Sequence, residues 1–291
     1  MNIQKSFQKE DQGKLYVVPT PIGNLEDITY RALNVLRTVT VIAAEDTRHT
    51  KKLLSHFQIQ TPMTSYHEHS KEKRTEQLLN RLKRGESVAL VSDAGMPAIS
   101  DPGYELVQSA IDQEIAVVVL PGANAALCAL VGSGLATDEF LFYGFLPRKK
   151  NDKESELQRL QSLRATLIFY ESPYRLKDTL SIMQKILGNR NLSIARELTK
   201  RFEEYIRGTI DELLQWAQDN PLKGEFCLIV EGNKQTETST EAMWWSHLSV
   251  KDHVEHYVVN ESKTSKEAIK HVALERRLPK REVYRAYHID G

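Results

Sequence analysis

Short apolar runs rich in β-branched residues alternate with longer amphipathic stretches through roughly the first 235 residues of the chain. Alternation of that kind predicts strands separated by helices, an α/β architecture. In the first half the predicted strands are Leu15–Val18, Val39–Ala44, Ser87–Ser92 and Ala116–Leu120. Helical periodicity covers Ile28–Arg37, Arg48–Phe57, Lys71–Arg84 and Tyr104–Asp112 between them. Strands that are apolar throughout, each followed by a helix, predict a mostly parallel sheet covered on both faces. A second series follows: Phe140–Phe145, Ala165–Tyr170, Leu192–Arg196, Glu203–Gly208 and Glu225–Val230, with helices at Pro173–Leu187 and Thr209–Gln218. The closely spaced pair Leu192–Arg196 and Glu203–Gly208 reads as a hairpin, so this sheet is predicted to be mixed.

The pattern also divides the chain. Residues 1–13 are polar and read as a disordered N-terminus. Residues 14–134 form a first α/β domain and 135–232 a second, separated near Gly132–Thr137, where small residues interrupt a helical pattern. Residues 233–243 are polar and read as a linker, and 244–291 as a small helical domain. From Ser265 to His288 the period is helix, short turn, helix. Ala268, Ile269, Val272 and Ala273 share one face, as do Val283, Tyr284 and Tyr287.

Composition narrows the class. The 291 residues are 41% hydrophobic and 27% charged with zero formal net charge, as in a globular protein with a large core. Any affinity for a polyanion must then be local. Lys263–His288 carries eight Lys and Arg against three Asp and Glu. That helical layout is compatible with nucleic-acid phosphate contacts, through Lys266, Lys270, Lys280, Arg281 and Arg285, or with a docking module whose basic face is solvated. No apolar run is long enough to span a bilayer, and the N-terminus lacks an apolar signal core, so no membrane partner is expected. Cys128 and Cys227 both lie in apolar stretches and read as buried reduced thiols, fitting the cytoplasm.

Candidate chemistry gathers in the loops that follow predicted strands, where ligands of open α/β sheets bind. Pro19–Leu25 is a stiff turn that either shapes a site or only reverses the chain. Ala44–His49 sets Glu45, Asp46, Arg48 and His49 at a strand end, suited to a polar substrate, although Asp46 or Thr47 as a helix cap is the commoner role. Asp93–Gly103 holds two Asp, two Gly and two Pro, costly for a mere connector. Leu120–Ala126 brings tiny side chains to a helix start, for a flat ligand or for close packing. Other signals are weak: Gly132-Ser133-Gly134 follows a helix and lacks a third glycine. His67-Glu68-His69 has no second ligand cluster, so no metal site is expected.

In order along the chain, Thr20-Pro21-Ile22-Gly23-Asn24-Leu25, Ala44-Glu45-Asp46-Thr47-Arg48, Asp93-Ala94-Gly95 with Ile99-Ser100-Asp101-Pro102-Gly103, Tyr170-Glu171-Ser172-Pro173-Tyr174-Arg175 and Arg196-Glu197-Leu198-Thr199-Lys200 resemble one family. It is the bacterial 16S ribosomal RNA (cytidine-2′-O)-methyltransferase I family of the tetrapyrrole methylase superfamily. The resemblance runs from Leu15 into the tail and departs at Met96-Pro97-Ala98, where Thr-Pro-Leu is usual; changed packing rather than lost function is expected there.

The resemblance implies two α/β domains with S-adenosylmethionine folded in the cleft between them, plus the helical tail. Donor contacts are implied for Pro21, Asp93, Gly95, Met96, Asn124, Ala125, Tyr170 and Arg196, with Ala195, Glu225 and Phe226 as further possibilities. The implied reaction is methyl transfer to a cytidine ribose 2′-hydroxyl in 16S ribosomal RNA or the small subunit, by a homodimer. Because a sugar hydroxyl is a weak acid, a base or nearby cation is needed. Glu45, Asp46, Arg48, His49, Glu171 and Lys200 are the candidates, and sequence does not choose among them. Methylation of a small tetrapyrrole and a non-catalytic RNA-binding role are the alternatives.

Overall fold

The computed structural model describes residues 3–6, 13–67, 71–234, 245, 247–261, 263–276 and 278–289. Contacts divide the chain into two compact units, residues 1–233 and 234–291.

The first unit begins with β1 (Leu15–Val17), α1 (Tyr30–Thr38), β2 (Val41–Ala44), α2 (Thr47–His56), β3 (Met63–Ser65), α3 (Lys71–Lys83), β4 (Val88–Val91), α4 (Tyr104–Asp112) and β5 (Val117–Val119). All five strands are parallel, in the order β3-β2-β4-β1-β5. Successive strand side chains point to opposite faces. Val41, Ala43, Val88 and Leu90 therefore pack with α3 and α4 residues such as Leu78, Leu82, Leu106 and Ala110. Ile42, Ala44, Ala89 and Val91 pack on the opposite face with Ala32, Leu36 and Leu54 of α1 and α2. Coverage on both faces is why β2 and β4 are apolar at every position. Residues 3–6, placed in the expected disordered N-terminus, meet this sheet: Gln4 exchanges two side-chain hydrogen bonds of 2.8 Å with the backbone of Val117, on the edge strand.

The chain continues through α5 (Ala125–Ser133), β6 (Phe140–Phe145), α6 (Lys150–Leu160), β7 (Thr166–Glu171), α7 (Leu176–Leu187), β8 (Asn191–Arg196), β9 (Glu204–Thr209), α8 (Ile210–Asp219) and β10 (Phe226–Val230). The second sheet is mixed, in the order β6-β7-β10-β8-β9, with only β6 and β7 parallel. Leu167, Phe169, Leu192, Ile194, Phe226, Leu228 and Val230 face α6, α7 and α8. Ile168, Ala195, Cys227 and Ile229 face Ala126, Ala129 and Leu130 of α5. The sequence divides the halves after α5, whereas packing places α5 on the second sheet. Being apolar on every side, α5 carries no stripe to name its partner. For the same reason Cys128, expected to be buried, lies exposed on α5.

In the second unit α9 (Val250–Val259), α10 (Ser265–Glu275) and α11 (Lys280–His288) surround Val254, Tyr257, Ala268, Ile269, Val272, Ala273 and Val283. Tyr284, expected on the buried face, is instead 52% exposed. Most of the expected linker, residues 235–243, lies outside the described residues, as do Glu68 and His69 of the His67–His69 cluster.

Candidate active site

The loops that leave the carboxyl ends of the parallel strands hold one another. Thr20, after β1, and Gly95, after β4, exchange two backbone hydrogen bonds of 3.0 Å, and the Thr20 hydroxyl donates to the Ser92 carbonyl at 3.1 Å. Gly95 has φ +79, a left-handed conformation that costs glycine nothing. Asp46 is the N-cap of α2: its Oδ1 accepts from the Arg48 backbone N–H at 2.8 Å, and its Oδ2 pairs with Arg48 Nη2 at 2.7 Å. These two bonds from Arg48 hold the Asp46 carboxyl well below the usual range. Asp93 Oδ1 in turn accepts from the Asp46 backbone N–H at 3.1 Å.

Close packing joins the first sheet's loops to the second sheet. Gly23 lies so close to the segment after β8 that a Cβ there would stand 2.5 Å from Lys200 Cγ and 3.1 Å from the Leu198 carbonyl oxygen. That segment places Glu197 and Thr199 at φ +51 and +65, while the loop after β4 places Ala98 and Ser100 at +67 and +62. Non-glycine residues with such φ values cost conformational energy and cluster at functional sites.

Between these loops lies a cleft of about 370 Å³. Ile22, Met96, Ile99, Ala125, Phe145, Ala195 and Leu198 give it apolar walls, and Asp101, Asn124, Tyr170, Glu171, Ser172 and Glu225 add polar groups. The volume and the mixture fit a ligand of drug-like size. Ala94, Gly95, Gly224 and Ala195 leave backbone within reach of such a ligand.

Three carboxylates line this cleft, and their surroundings differ. Glu171 is 3% exposed. Its Oε1 accepts from Ser172 N–H at 2.8 Å and lies 3.4 Å from Arg175 Nε, while Oε2 accepts from the Thr179 hydroxyl at 2.7 Å. Thr179 Oγ1 also accepts from the buried Lys153 Nζ at 3.0 Å, and that ammonium pairs with Asp178 at 2.7 Å. Arg175 Nη2 donates to the Leu146 carbonyl at 2.6 Å. Glu171 thus anchors the turn that forms one wall of the cleft.

Glu225 pairs with Lys200 Nζ at 2.8 Å, and Lys200 also reaches Glu197 Oε1 at 2.8 Å. Burial alone would lower the Lys200 ammonium, but the hydrogen bonds to Glu197 and Glu225 hold it above its usual value. Asp101 is pushed up to about 7, first by burial and then by the charge of Glu45, with Asp93 adding to it. Burial also raises the Tyr170 hydroxyl and the Cys227 thiol, both of which line the cleft.

Comparison with known proteins gives this geometry a family. The profile of the Tetrapyrrole (Corrin/Porphyrin) Methylases matches residues 14–214. The chain is 57% identical over 289 residues to a Halalkalibacterium halodurans protein named Ribosomal RNA small subunit methyltransferase I, covering 99% of each chain. A Bacillus subtilis protein of the same name is 55% identical, covering 98% of each. The chain belongs to the ribosomal RNA small subunit methyltransferase I family. The fold extends to a Thermus thermophilus uroporphyrin-III C-methyltransferase solved with S-adenosylhomocysteine. That structure has a TM-score of 0.54 and 17% identity, covering 75% of this chain and 97% of its own.

Within this family member, the expected donor contacts fall into two sets. Gly95, Met96, Asn124, Ala125 and Tyr170 line the cleft, together with Ala195, Glu225 and Phe226. Pro21, Asp93 and Arg196 do not line it: Asp93 is turned to the Asp46 backbone, and Arg196 donates to Glu204 at 2.6 Å and to the Lys223 carbonyl at 2.8 Å. Of the candidate catalytic residues only Glu171 lines the cleft. Glu45, Asp46, Arg48 and His49 sit together at the end of β2, and Lys200 stands behind Glu225. Asp101, in the same loop as Asp93, also lines the cleft. Lys266, Lys270, Lys280, Arg281 and Arg285 are all exposed on the tail helices. Among the described residues no cluster of His, Cys, Asp or Glu could hold a metal ion, and no helix is long and apolar enough to cross a membrane.

Proposed function

We propose that this protein transfers a methyl group from S-adenosylmethionine to the 2′-hydroxyl of a cytidine ribose in 16S ribosomal RNA. Membership in the ribosomal RNA small subunit methyltransferase I family supports ribosomal RNA as the acceptor. The observation that carries the donor assignment is the cleft where loops from both sheets meet. Its apolar walls suit a nucleoside and methionine chain, and its exposed backbone suits their polar edges. A related fold was solved with the demethylated donor.

When bound, S-adenosylmethionine supplies an electrophilic methyl group on a sulfonium. The protein's part is alignment, because in-line displacement gains much of its rate from orientation. Asn124, whose side chain accepts from Leu127 N–H at 3.0 Å, fixes the start of α5 against the cleft. Tyr170 and the Glu171-anchored turn form the opposite wall. The acidic turn Glu45–Asp46, locked by Arg48 and Asp93, lies at the end of β2 as a rigid edge for the incoming ribose. Lys266, Lys270, Lys280, Arg281 and Arg285 bind RNA phosphates without reading sequence. The enzyme works in the cytoplasm as a homodimer and needs no metal ion.

The test supplies S-adenosylmethionine with a labelled methyl group to the protein together with small ribosomal subunits, naked 16S RNA or a uroporphyrin-type tetrapyrrole. Label entering either RNA sample supports the proposal. Label entering only the tetrapyrrole, or no acceptor, contradicts it.

A further inference from the structure

One wall of the cleft continues outward into an aromatic and cationic rim. Strands β6 and β7 are parallel neighbours, so the segments that follow them leave the same end of the sheet. Two hydrogen bonds tie those segments together: Arg175 Nη2 donates to the Leu146 carbonyl at 2.6 Å and to the Pro147 carbonyl at 3.1 Å. The buried Glu171 fixes the same turn, accepting from Ser172 N–H at 2.8 Å and facing Arg175 Nε at 3.4 Å. Phe145, Ser172 and Pro173 line the cleft, and the residues that continue from them, Tyr174 and Arg148–Lys150, stand at its edge.

Tyr174 is 97% exposed on that braced turn, so its ring gains nothing from folding. Phe145 adds a second ring, 53% exposed, with Tyr170 edge-on to it at 5.6 Å between centroids. Beside them Arg148, Lys149 and Lys150 are all exposed. Among the described residues none of the three forms an ion pair, whereas Lys153 and Arg159 farther along α6 pair with Asp178 and Glu156. Lys149 and Lys150 open α6, where the helix dipole disfavours cations. Local stability therefore gives no reason for either the ring or the charges.

We propose that this rim grips a single-stranded stretch of the acceptor RNA beside the methylated nucleotide. The Tyr174 ring stacks on a base, and Arg148, Lys149 and Lys150 neutralise the phosphates alongside. The assignment rests on the RNA-methylating function proposed above and gives that RNA a hold at the cleft itself, apart from the tail. An acceptor ribose that reaches into a cleft draws its nucleotide out of regular stacking, and an exposed aromatic ring replaces the stack that is lost. Every base has a face to stack, and cations read only phosphate. The rim thus supplies affinity and register rather than a base code. Because the turn is already braced, its ordering costs little on binding.

The test measures affinity of the full chain, with S-adenosylhomocysteine bound, for small ribosomal subunits or naked 16S RNA, whichever the wild type methylates. Tyr174→Ala should weaken binding by about 5–150-fold, the range of one base–aromatic stack, and raise KM for the RNA with the salt dependence unchanged. Tyr174→Phe keeps the ring and should bind as wild type. Arg148→Gln, Lys149→Gln and Lys150→Gln together should weaken binding and make its salt dependence shallower, by up to about 0.7 in slope for each phosphate no longer neutralised. Calorimetry should find S-adenosylhomocysteine bound to every variant as to wild type. Wild-type RNA affinity in Tyr174→Ala, a wild-type salt slope in the triple variant, or RNA affinity lost only together with donor affinity overturns the rim and leaves the RNA function standing. A wild-type enzyme that methylates no RNA overturns both.

Discussion

Asp93, at the end of β4, accepts a hydrogen bond from the backbone N–H of Asp46, at the end of the neighbouring β2, across 3.1 Å. The carboxylate that the resemblance implies as a donor contact also braces two loops through this oxygen. Asp93→Ala should loosen the Glu45–Arg48 turn and remove a negative charge facing Asp101. One charge-assisted hydrogen bond of about 1.5–3 kcal/mol is removed. Turnover should fall while S-adenosylhomocysteine affinity, read by calorimetry, changes little. Lost donor affinity with normal turnover at saturating donor would return Asp93 to the donor site.

Asp101 also links stability to pH. The folded protein keeps its proton up to about pH 7, whereas the unfolded chain releases it near the ordinary aspartate value. The folded state thus binds more protons in that window, and stability falls as pH rises through it. Asp101→Asn should melt higher than wild type at pH 8, the advantage vanishing by about pH 4. Solvent screening at this half-buried position limits the gain to about 1 kcal/mol. Equal melting temperatures at pH 8 would show that Asp101 ionises without strain.

The Lys153–Thr179–Glu171 chain can be broken at its middle. Thr179→Val keeps the shape and removes the hydroxyl that receives the Lys153 proton and donates to Glu171. Each buried charge then lacks one partner, a loss of about 1.5–3 kcal/mol. The urea midpoint should drop accordingly with the slope unchanged. A midpoint equal to wild type would mean that water replaces the hydroxyl.

The division at residues 233 and 234 gives the tail its own test. A chain ending at residue 233 should fold and bind S-adenosylhomocysteine, because every cleft residue precedes that point. Its affinity for RNA should fall and depend less steeply on salt, by up to about 0.9 in slope for each phosphate no longer neutralised. Lys280→Glu with Arg281→Glu should reproduce part of the change in the full chain. An unaltered salt slope would make the tail a packing element.

Much of this was legible because burial on both faces leaves runs such as Val41–Ala44 and Val88–Val91 without polar residues. The three-residue edge strand β3 left no such run, since all its residues are half-buried. Helix α6 went unseen because its sequence is mostly charged and one of its buried residues is Lys153. The loops that build the cleft stood out by composition and order, yet which side chains enter the cleft did not. Asp93 and Asp101 share one loop, and only the fold of Ser100 and Gly103 sends the second into the cleft while the first turns to Asp46. The sequence around Glu171 does not show that Thr179, on the following helix, meets it, with Lys153 in turn bonded to Thr179.

Which atom receives the methyl group can be read directly. Small subunits isolated from cells lacking this enzyme can be treated with protein and S-adenosylmethionine, and the RNA digested to nucleosides for mass spectrometry. The expected result is a new 2′-O-methylcytidine, its methyl group on the ribose fragment, at one position of the 16S RNA. A methyl group on a base, on a different nucleoside, or absent altogether would contradict the account.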